Sequence, residues 1–299
     1  MKPASLARPL CVISGAQGYL GGCLTRALLI DGWRVLGLSR RPPDVDAVPG
    51  LTWSAFELGQ YELPAEAAQA DALIHCAYDF TPRRWPEIME HNVIGTARLF
   101  AAAKKIGVRK VVLISSMSAY SGCRSMYGRA KLAAEEIARQ HGALIVRPGL
   151  IYGTQPAGMF GRLVSQVQQS RLTPIFSYGK QVLYLVHEID LAKFLIRNLR
   201  SKTAAPIQAV TAAHPQRWFF RDILAEIAGA HGRRLIFISI PWRPFWLALK
   251  LIESVGLRFP FTSDSLLSLM YQDDQPDFTV AERAGFVCRS FSPPAQKAQ

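Results

Sequence analysis

LCVISGAQGYLGG, residues 10–22, decides the fold. An apolar run of strand length enters three glycines, Gly15, Gly18 and Gly21, spaced G-x-x-G-x-x-G, and the residues beyond them read as a helix. Glycine lets backbone approach an anion closely, because no Cβ intervenes. The first N–H groups of the helix and its dipole then favour negative charge. The stretch therefore predicts a buried strand, a phosphate-holding turn and a helix. Glycine turns of this look also occur by chance, so the rest of the chain must support the reading.

It does so by alternation. WRVLGLS, LTWSAF, DALIHCA, VRKVVLISS and ALIVRP read as further strands, with helices expected over 19–31, 85–106 and 125–141. Continuous apolar strands between amphipathic helices predict a parallel sheet covered on both faces, a doubly wound α/β Rossmann-type domain. That domain is expected over residues 8–153, a smaller substrate lobe over 154–290, and a frayed tail over 291–299. Some lobe elements, EIDLAKFLIRNL among them, are expected to pack back on the first domain.

Composition narrows the partners. The chain has 299 residues, 49% hydrophobic and 19% charged, enough for a sizeable core. Its net charge of +13 favours anionic partners such as nucleotide phosphates or acidic lipid headgroups. The arginines are scattered, and no helix-turn-helix or zinc-finger spacing occurs, so neither nucleic acid nor metal is expected. The five cysteines, without any C-x-x-C, read as reduced thiols of a cytoplasmic protein. The N-terminal residues do not read as a signal peptide, and no apolar run is long enough to span a bilayer.

The chemistry lies further along. Tyr127 and Lys131 are four apart on an expected helix and so share a face. A tyrosine with an ordinary pKa of about 10 is a poor base near neutrality, and a neighbouring ammonium favours its phenolate. Ser116 falls at the C-terminal end of the fifth strand, where ligands of such sheets bind. A hydroxyl there can polarise a carbonyl, so the three residues read as a proton relay for hydride transfer. Taken alone, a Y-x-x-x-K pair is usually a solvated surface pair. The end of strand two, Gly37-Leu38-Ser39-Arg40-Arg41, has no acid to hold a ribose 2′-hydroxyl. Two guanidiniums there suit a 2′-phosphate, so NADP(H) is expected over NAD(H). The alternative is a pair of solvated arginines before Pro42.

With GAQGYLG, IHCAY, HNVIGT, LISSMSAY, YGRAK, VRPGLIYG and VHEID in view, the chain resembles the extended short-chain dehydrogenase/reductases, which include NAD(P)-dependent epimerases, dehydratases and sugar-nucleotide reductases. The resemblance is dense from Leu10 to Gly153 and thinner to Phe286. It implies that Ser116, Tyr127 and Lys131 are catalytic and that Lys131 also holds the nicotinamide ribose. It implies a cofactor site of Gly15, Gly18, Tyr19, Leu20, Gly21, Arg40, Glu57, Leu58, Ala77, Tyr127, Lys131, Pro148 and Gly149. Asn92 falls in the helix that buttresses such sites. Glu57 stands where the family usually has an aspartate. The implied substrate is a small molecule, a nucleotide- or lipid-linked sugar, which His187 could line. Asp190 reads as a helix cap or structural acid. Two alternatives stay open: an epimerase or dehydratase using the same triad, and a non-catalytic dinucleotide-binding subunit or sensor. A homodimer is expected by family habit.

Two features bear on the substrate. Leu183 occupies the place of a pyrophosphate-clamping arginine, and Gln272–Asp277 lacks a second one, leaving Arg162, Arg171 or Lys180 as substitutes. The stretch from Leu235 to Phe261 is unusually apolar, with Arg233, Arg234, Arg243 and Arg258 around it. Its helix either packs on the core or another subunit, the commoner outcome, or lies at the inner face of a membrane through residues 243–261.

Overall fold

The computed structural model describes residues 8–44, 47–155, 157–257 and 261–294. The residues before Arg8, Arg258 and the last five residues of the expected tail lie outside these.

The fold begins with β1 (Leu10–Ser14), α1 (Tyr19–Ile30), β2 (Arg34–Ser39), β3 (Leu51–Ala55) and β4 (Ala72–His75). It continues through α2 (Trp85–Ile88), a π-helical segment (Met89–Ile94), α3 (Gly95–Lys105), β5 (Lys110–Ile114), α4 (Met126–Gln140) and β6 (Leu144–Pro148). Next come β7 (Leu150–Tyr152), α5 (Gly158–Gln169), β8 (Leu172–Phe176), β9 (Val182–Leu183), β10 (Leu185–His187) and α6 (Glu188–Arg200). The last elements are β11 (Val210–Ala212), β12 (Trp218–Phe219), α7 (Phe220–Ala230), β13 (Ile236–Ile240), α8 (Trp242–Ser254), α9 (Ser263–Met270) and α10 (Thr279–Arg283).

Seven strands form one sheet in the order β11-β6-β5-β4-β1-β2-β3. The chain winds outward from β1 one way to β3 and the other way from β4 onward, which is the doubly wound arrangement expected from the sequence. Within β1, Leu10 and Val12 join one core cluster, while Cys11 and Ile13 on the opposite face are equally buried. Both faces of the sheet are therefore covered. Val12 stands between Leu36 and Leu73 in register, and all three are fully buried. Each such side chain contributes about 2 kcal/mol of burial. Leu99 and Phe100 of α3 and Ala134 and Ala138 of α4 fill the same cluster. Helix α1 ends at Asp31-Gly32, where Gly32 takes φ +85°, a conformation that favours glycine.

The expected helix over 85–106 is interrupted. Its middle turn, Met89–Ile94, widens to a π-helix. Asn92 lies on that turn and bonds backbone outside the helix: its Oδ1 accepts from Asp79 N–H at 2.6 Å and its Nδ2 donates to Asp79 C=O at 3.0 Å.

The chain forms two compact units. The first takes in the described residues up to Ser115, Ala133–Val146 and Leu191–Val210. The second takes in Ser116–Leu132, Arg147–Asp190 and the described residues from Thr211 onward. The second unit is built from two-stranded pairings: β7 with β10, β9 with β12, and β8 with β13. One of its cores joins Phe160, Val164 and Val167 of α5 to Ile223, Leu224 and Ile227 of α7. A separate small core holds Phe176, Leu249 and Leu266, with Phe245 and Trp246 against it.

Candidate active site

In the first unit the glycine turn is sterically fixed. Gly15 takes φ +72°, and a Cβ on it would stand 2.8 Å from Ala77 N. A Cβ on Gly21 would stand 2.2 Å from the Gly15 carbonyl oxygen. The turn closes through Gly18 N–H to Gly15 C=O at 3.0 Å, and Gly15 N–H donates to Leu38 C=O at 3.1 Å. Gly18 caps α1 with no side-chain hydrogen bond at the helix start. Tyr19 and Leu20 open the helix, both half-buried. A twelve-residue helix whose first N–H groups lack a side-chain cap, behind a turn with glycine at both ends, fits a dinucleotide pyrophosphate.

Next to the turn lies a buried polar chain that sequence reasoning missed. Ser14 Oγ and His75 Nδ1 are 2.6 Å apart, and His75 Nε2 is 2.9 Å from Thr96 Oγ1. Thr96 in turn donates to Asn92 C=O at 2.6 Å. The segments LCVIS, HCAY and HNVIGT hold these residues, but only the fold pairs them. Asp79 follows Ala77 and Tyr78. Its carboxylate lies 3.7 Å from the Arg40 guanidinium and 3.2 Å from His91 Nδ1. Burial pushes the Asp79 carboxyl up, but its bonds with Thr81, the Arg40 charge and His91 outweigh that and hold it below the usual range. Arg40 is exposed at the end of β2. Glu57 is exposed, with its N–H donating to Gln60 Oε1 at 3.3 Å, while Leu58 packs against the sheet core.

In the second unit, Ser116 and Tyr127 share a side-chain hydrogen bond. Burial pushes the Tyr127 phenol up, and that hydrogen bond offsets part of the rise. Ser116 Oγ also accepts from Ser118 N–H at 3.1 Å, which fixes its direction. Lys131 follows one turn later on α4 and is buried, 4% exposed.

The start of α4 is held from three sides. Ser125 Oγ accepts from Gly128 N–H at 3.1 Å. Gly128 lies so close to the Ser118 carbonyl that a Cβ would stand 2.3 Å from it. Asp264, on α9, accepts from the N–H of Met126 at 2.6 Å and of Tyr127 at 3.1 Å. A carboxylate on two N–H groups at a helix N-terminus is a strong cap. Ser268 of α9 also donates to Ser118 Oγ at 3.0 Å. Ser125 before a helix could have been read as a cap. Asp264 had no local signal, being more than a hundred positions away in the chain.

Pro148 and Gly149 are fixed by backbone contacts. Pro148 C=O accepts from Met117 N–H at 3.2 Å, and a Cβ on Gly149 would stand 2.3 Å from Tyr184 C=O. His187 is buried, its Nδ1 accepting from Ile189 N–H at 3.2 Å and its ring edge-on to Tyr152. Asp190 accepts three bonds from Arg289, at 3.0, 2.8 and 2.6 Å. Arg162, Arg171 and Lys180 are exposed. Around Tyr184 the charges are mixed. Burial raises its phenol, Arg217 lowers it, and Asp273 and Asp274 raise it further. Among the described residues no group of three or more His, Cys, Asp or Glu could hold a metal ion.

Comparison with known proteins agrees with this architecture. Residues 11–210 match the NAD dependent epimerase/dehydratase family. The chain is 30% identical over 251 residues to the ceramide reductase of Caulobacter vibrioides, covering 80% of this chain and 75% of that protein. It is 37% identical over 116 residues to sterol demethylase protein B of Methylococcus capsulatus, over 36% of this chain and 34% of that one. Among solved structures, MoeE5 in complex with UDP-glucuronic acid and NAD shares the fold at a TM-score of 0.66 and 21% identity, over 92% of this chain and 99% of that one.

Proposed function

We propose that this chain, which belongs to the NAD dependent epimerase/dehydratase family, moves a hydride between NADP(H) and a carbonyl or hydroxyl carbon of a lipid-borne substrate. The chain is an oxidoreductase-type enzyme of the extended short-chain dehydrogenase/reductase group. The observation that carries the finer reading is the hydrogen bond between Ser116 and Tyr127, with Lys131 buried one turn further along the same helix.

A bound nicotinamide would supply or accept the hydride. The rest falls to the chain. In the reductive direction Tyr127 gives its phenolic proton to the substrate oxygen, and in the oxidative direction it takes that proton back. Ser116 hydrogen-bonds the same oxygen and polarises the carbonyl. Burial pushes the Tyr127 phenol up and the Ser116 hydrogen bond offsets part of that. Lys131 would hold the nicotinamide ribose and, as an ammonium on the same helix, favour the phenolate. Gly15, Gly18, Tyr19, Leu20 and Gly21 would hold the pyrophosphate, and Ala77, Pro148 and Gly149 would flank the nicotinamide half. Glu57 and Leu58 would lie at the adenine end.

NADP(H) is favoured because β2 ends in Ser39-Arg40-Arg41 without an acid. Arg40 stands 3.7 Å from the Asp79 carboxylate, so a 2′-phosphate would have to draw the guanidinium from that pairing. A lipid-borne substrate is favoured over a nucleotide sugar for two reasons. Asp273 and Asp274 act on Tyr120 and Tyr184, alongside single arginines, which is a poor setting for a diphosphate. The similarity to a ceramide reductase spans most of both chains.

The test is a fluorescence titration of wild type and Arg40→Asp with NADPH and NADH, with turnover measured for Tyr127→Phe. Wild type should prefer NADPH by at least tenfold, and Arg40→Asp should lose that preference. Tyr127→Phe should bind cofactor normally and turn over ~1000-fold more slowly. Equal affinity for both nucleotides would refute the NADP(H) assignment. Undiminished turnover by Tyr127→Phe would refute the relay. Turnover of tightly retained cofactor without added nucleotide would identify an epimerase.

A further inference from the structure

We infer that the second unit docks on an anionic lipid bilayer through the outer face of α8 and the exposed face of the β8–β13 pair. The inference rests on the lipid-borne substrate proposed above, since it supplies the surface from which such a substrate is drawn.

The apolar surface is the first observation. Only Leu249 of α8 is fully buried. Leu247, Leu251 and Val255 follow at helical spacing on and just past the helix, and are 55%, 62% and 70% exposed. The β8–β13 pair repeats the pattern on a strand: Ile236 stands beside Leu172 and Ile238 beside Pro174 in register, and all four are exposed. Six of the eighteen large exposed hydrophobics among the described residues fall within 236–257. Scattered singly they would need no explanation, but a concentration of this kind marks a contact surface.

Charge selects the occupant. Between residues 231 and 257 stand four bases, Arg233, Arg234, Arg243 and Lys250, and a single acid, Glu253. All four bases are exposed. Glu253 is half-buried, and its carboxylate accepts from the N–H and the hydroxyl of Ser263 at 2.8 and 2.7 Å. The surface thus presents leucines, isoleucines and cations with its one carboxylate engaged. That pairing fits an interfacial helix on acidic headgroups. At thirteen residues α8 is far too short to cross a bilayer, and no helix of the described residues is long and apolar enough to do so. The contact is therefore peripheral.

The experiment is vesicle co-sedimentation of the full chain, with phosphatidylcholine alone and with phosphatidylcholine mixed with phosphatidylglycerol. Wild type should sediment with the mixed vesicles at least tenfold more strongly than with phosphatidylcholine alone, and salt should weaken the binding. The variant carrying Leu247→Ser, Leu251→Ser and Val255→Ser should lose at least tenfold of it. Arg243→Glu with Lys250→Glu, which leaves the apolar face intact, should lose a similar amount and decides the matter if the first variant folds poorly. NADPH affinity is measured on the same samples and should be unchanged. Absence of wild-type binding to mixed vesicles, or binding by both variants equal to wild type, would overturn the docking. A wild-type dimer that the serine variant dissociates, with no vesicle binding by either, would show that a second copy covers this face. Loss of NADPH binding by wild type with vesicle binding intact would instead strike the proposed activity.

Discussion

The two units of this protein are each built internally by different means. In the first, strands such as β1, β2 and β4 are buried along nearly their whole length, and a single cluster draws a side chain from each. In the second, strands run two or three residues at several places, one helix buries a single residue fully, and hydrogen bonds across long stretches of chain do the positioning. Burial of continuous apolar runs is a local property of sequence, so the first unit's elements are set by their own residues. The second unit depends on pairs such as Asp264 with the start of α4, which no local pattern encodes. The glycine turn of the first unit and the residues proposed as a relay in the second should therefore respond differently to damage.

The sharpest break of that comparison is Gly21→Ala. The added methyl would meet the Gly15 carbonyl oxygen at 2.2 Å and Ala16 Cα at 2.8 Å, backbone atoms that cannot swing aside as a side chain would. We expect NADPH affinity to fall roughly 100-fold, ~3 kcal/mol, measured by fluorescence titration. Affinity equal to wild type would show that the turn is a structural corner and holds no phosphate.

The counterpart in the second unit is Asp264→Ala. It removes the carboxylate from the N–H groups of Met126 and Tyr127, at a cost of about 1 kcal/mol for a lost cap. On the proposed relay Asp264 would act as a positioning residue, so kcat should fall roughly 10-fold, ~1.4 kcal/mol of misplacement, while KM and NADPH affinity hold. Asp264→Asn keeps one acceptor and should recover part of kcat. Equal losses in kcat, KM and cofactor affinity, without recovery by asparagine, would mean that the residue only supports the fold.

How much of this was legible follows the same division. The five residues Leu10–Ser14 and the three glycines after them announced the sheet and its turn, and the strands found in the first unit fall where apolar runs stand. The segment from Trp85 to Ile106 reads as one amphipathic helix, yet its middle widens to a π turn carrying Asn92, which ties down Asp79. Helical periodicity carries no trace of a backbone acceptor thirteen residues upstream. Ser116, Tyr127 and Lys131 were legible as types at a spacing. The buried Ser14–His75–Thr96 chain and the carboxylate of Asp264 were not, because each is defined by what the fold brings beside it. The apolar run of α8 was visible, but whether its stripe faced a core depended on how few side chains pack against it.

The smallest expected effect tests how the C-terminal segment is fastened to the second unit. Asp190 accepts from Arg289 N–H, Nε and Nη2. Burial pushes its carboxyl up, but the Arg289 bonds and charge outweigh this and hold it below its ordinary value. A carboxyl lowered in the folded state stabilises the fold above its unfolded pKa, about 3.9, and that contribution is lost as pH falls through the folded value. Arg289 is 47% exposed, so solvent screens the pair and the effect is modest. Asp190→Asn should lower Tm by roughly 2 °C at neutral pH. The gap between variant and wild type should stay constant down to about pH 5 and close below it as the wild-type carboxylate protonates. A gap that persists unchanged into acid would assign the loss to packing around His187 and Tyr152, and the tie to Arg289 would then carry no electrostatic share.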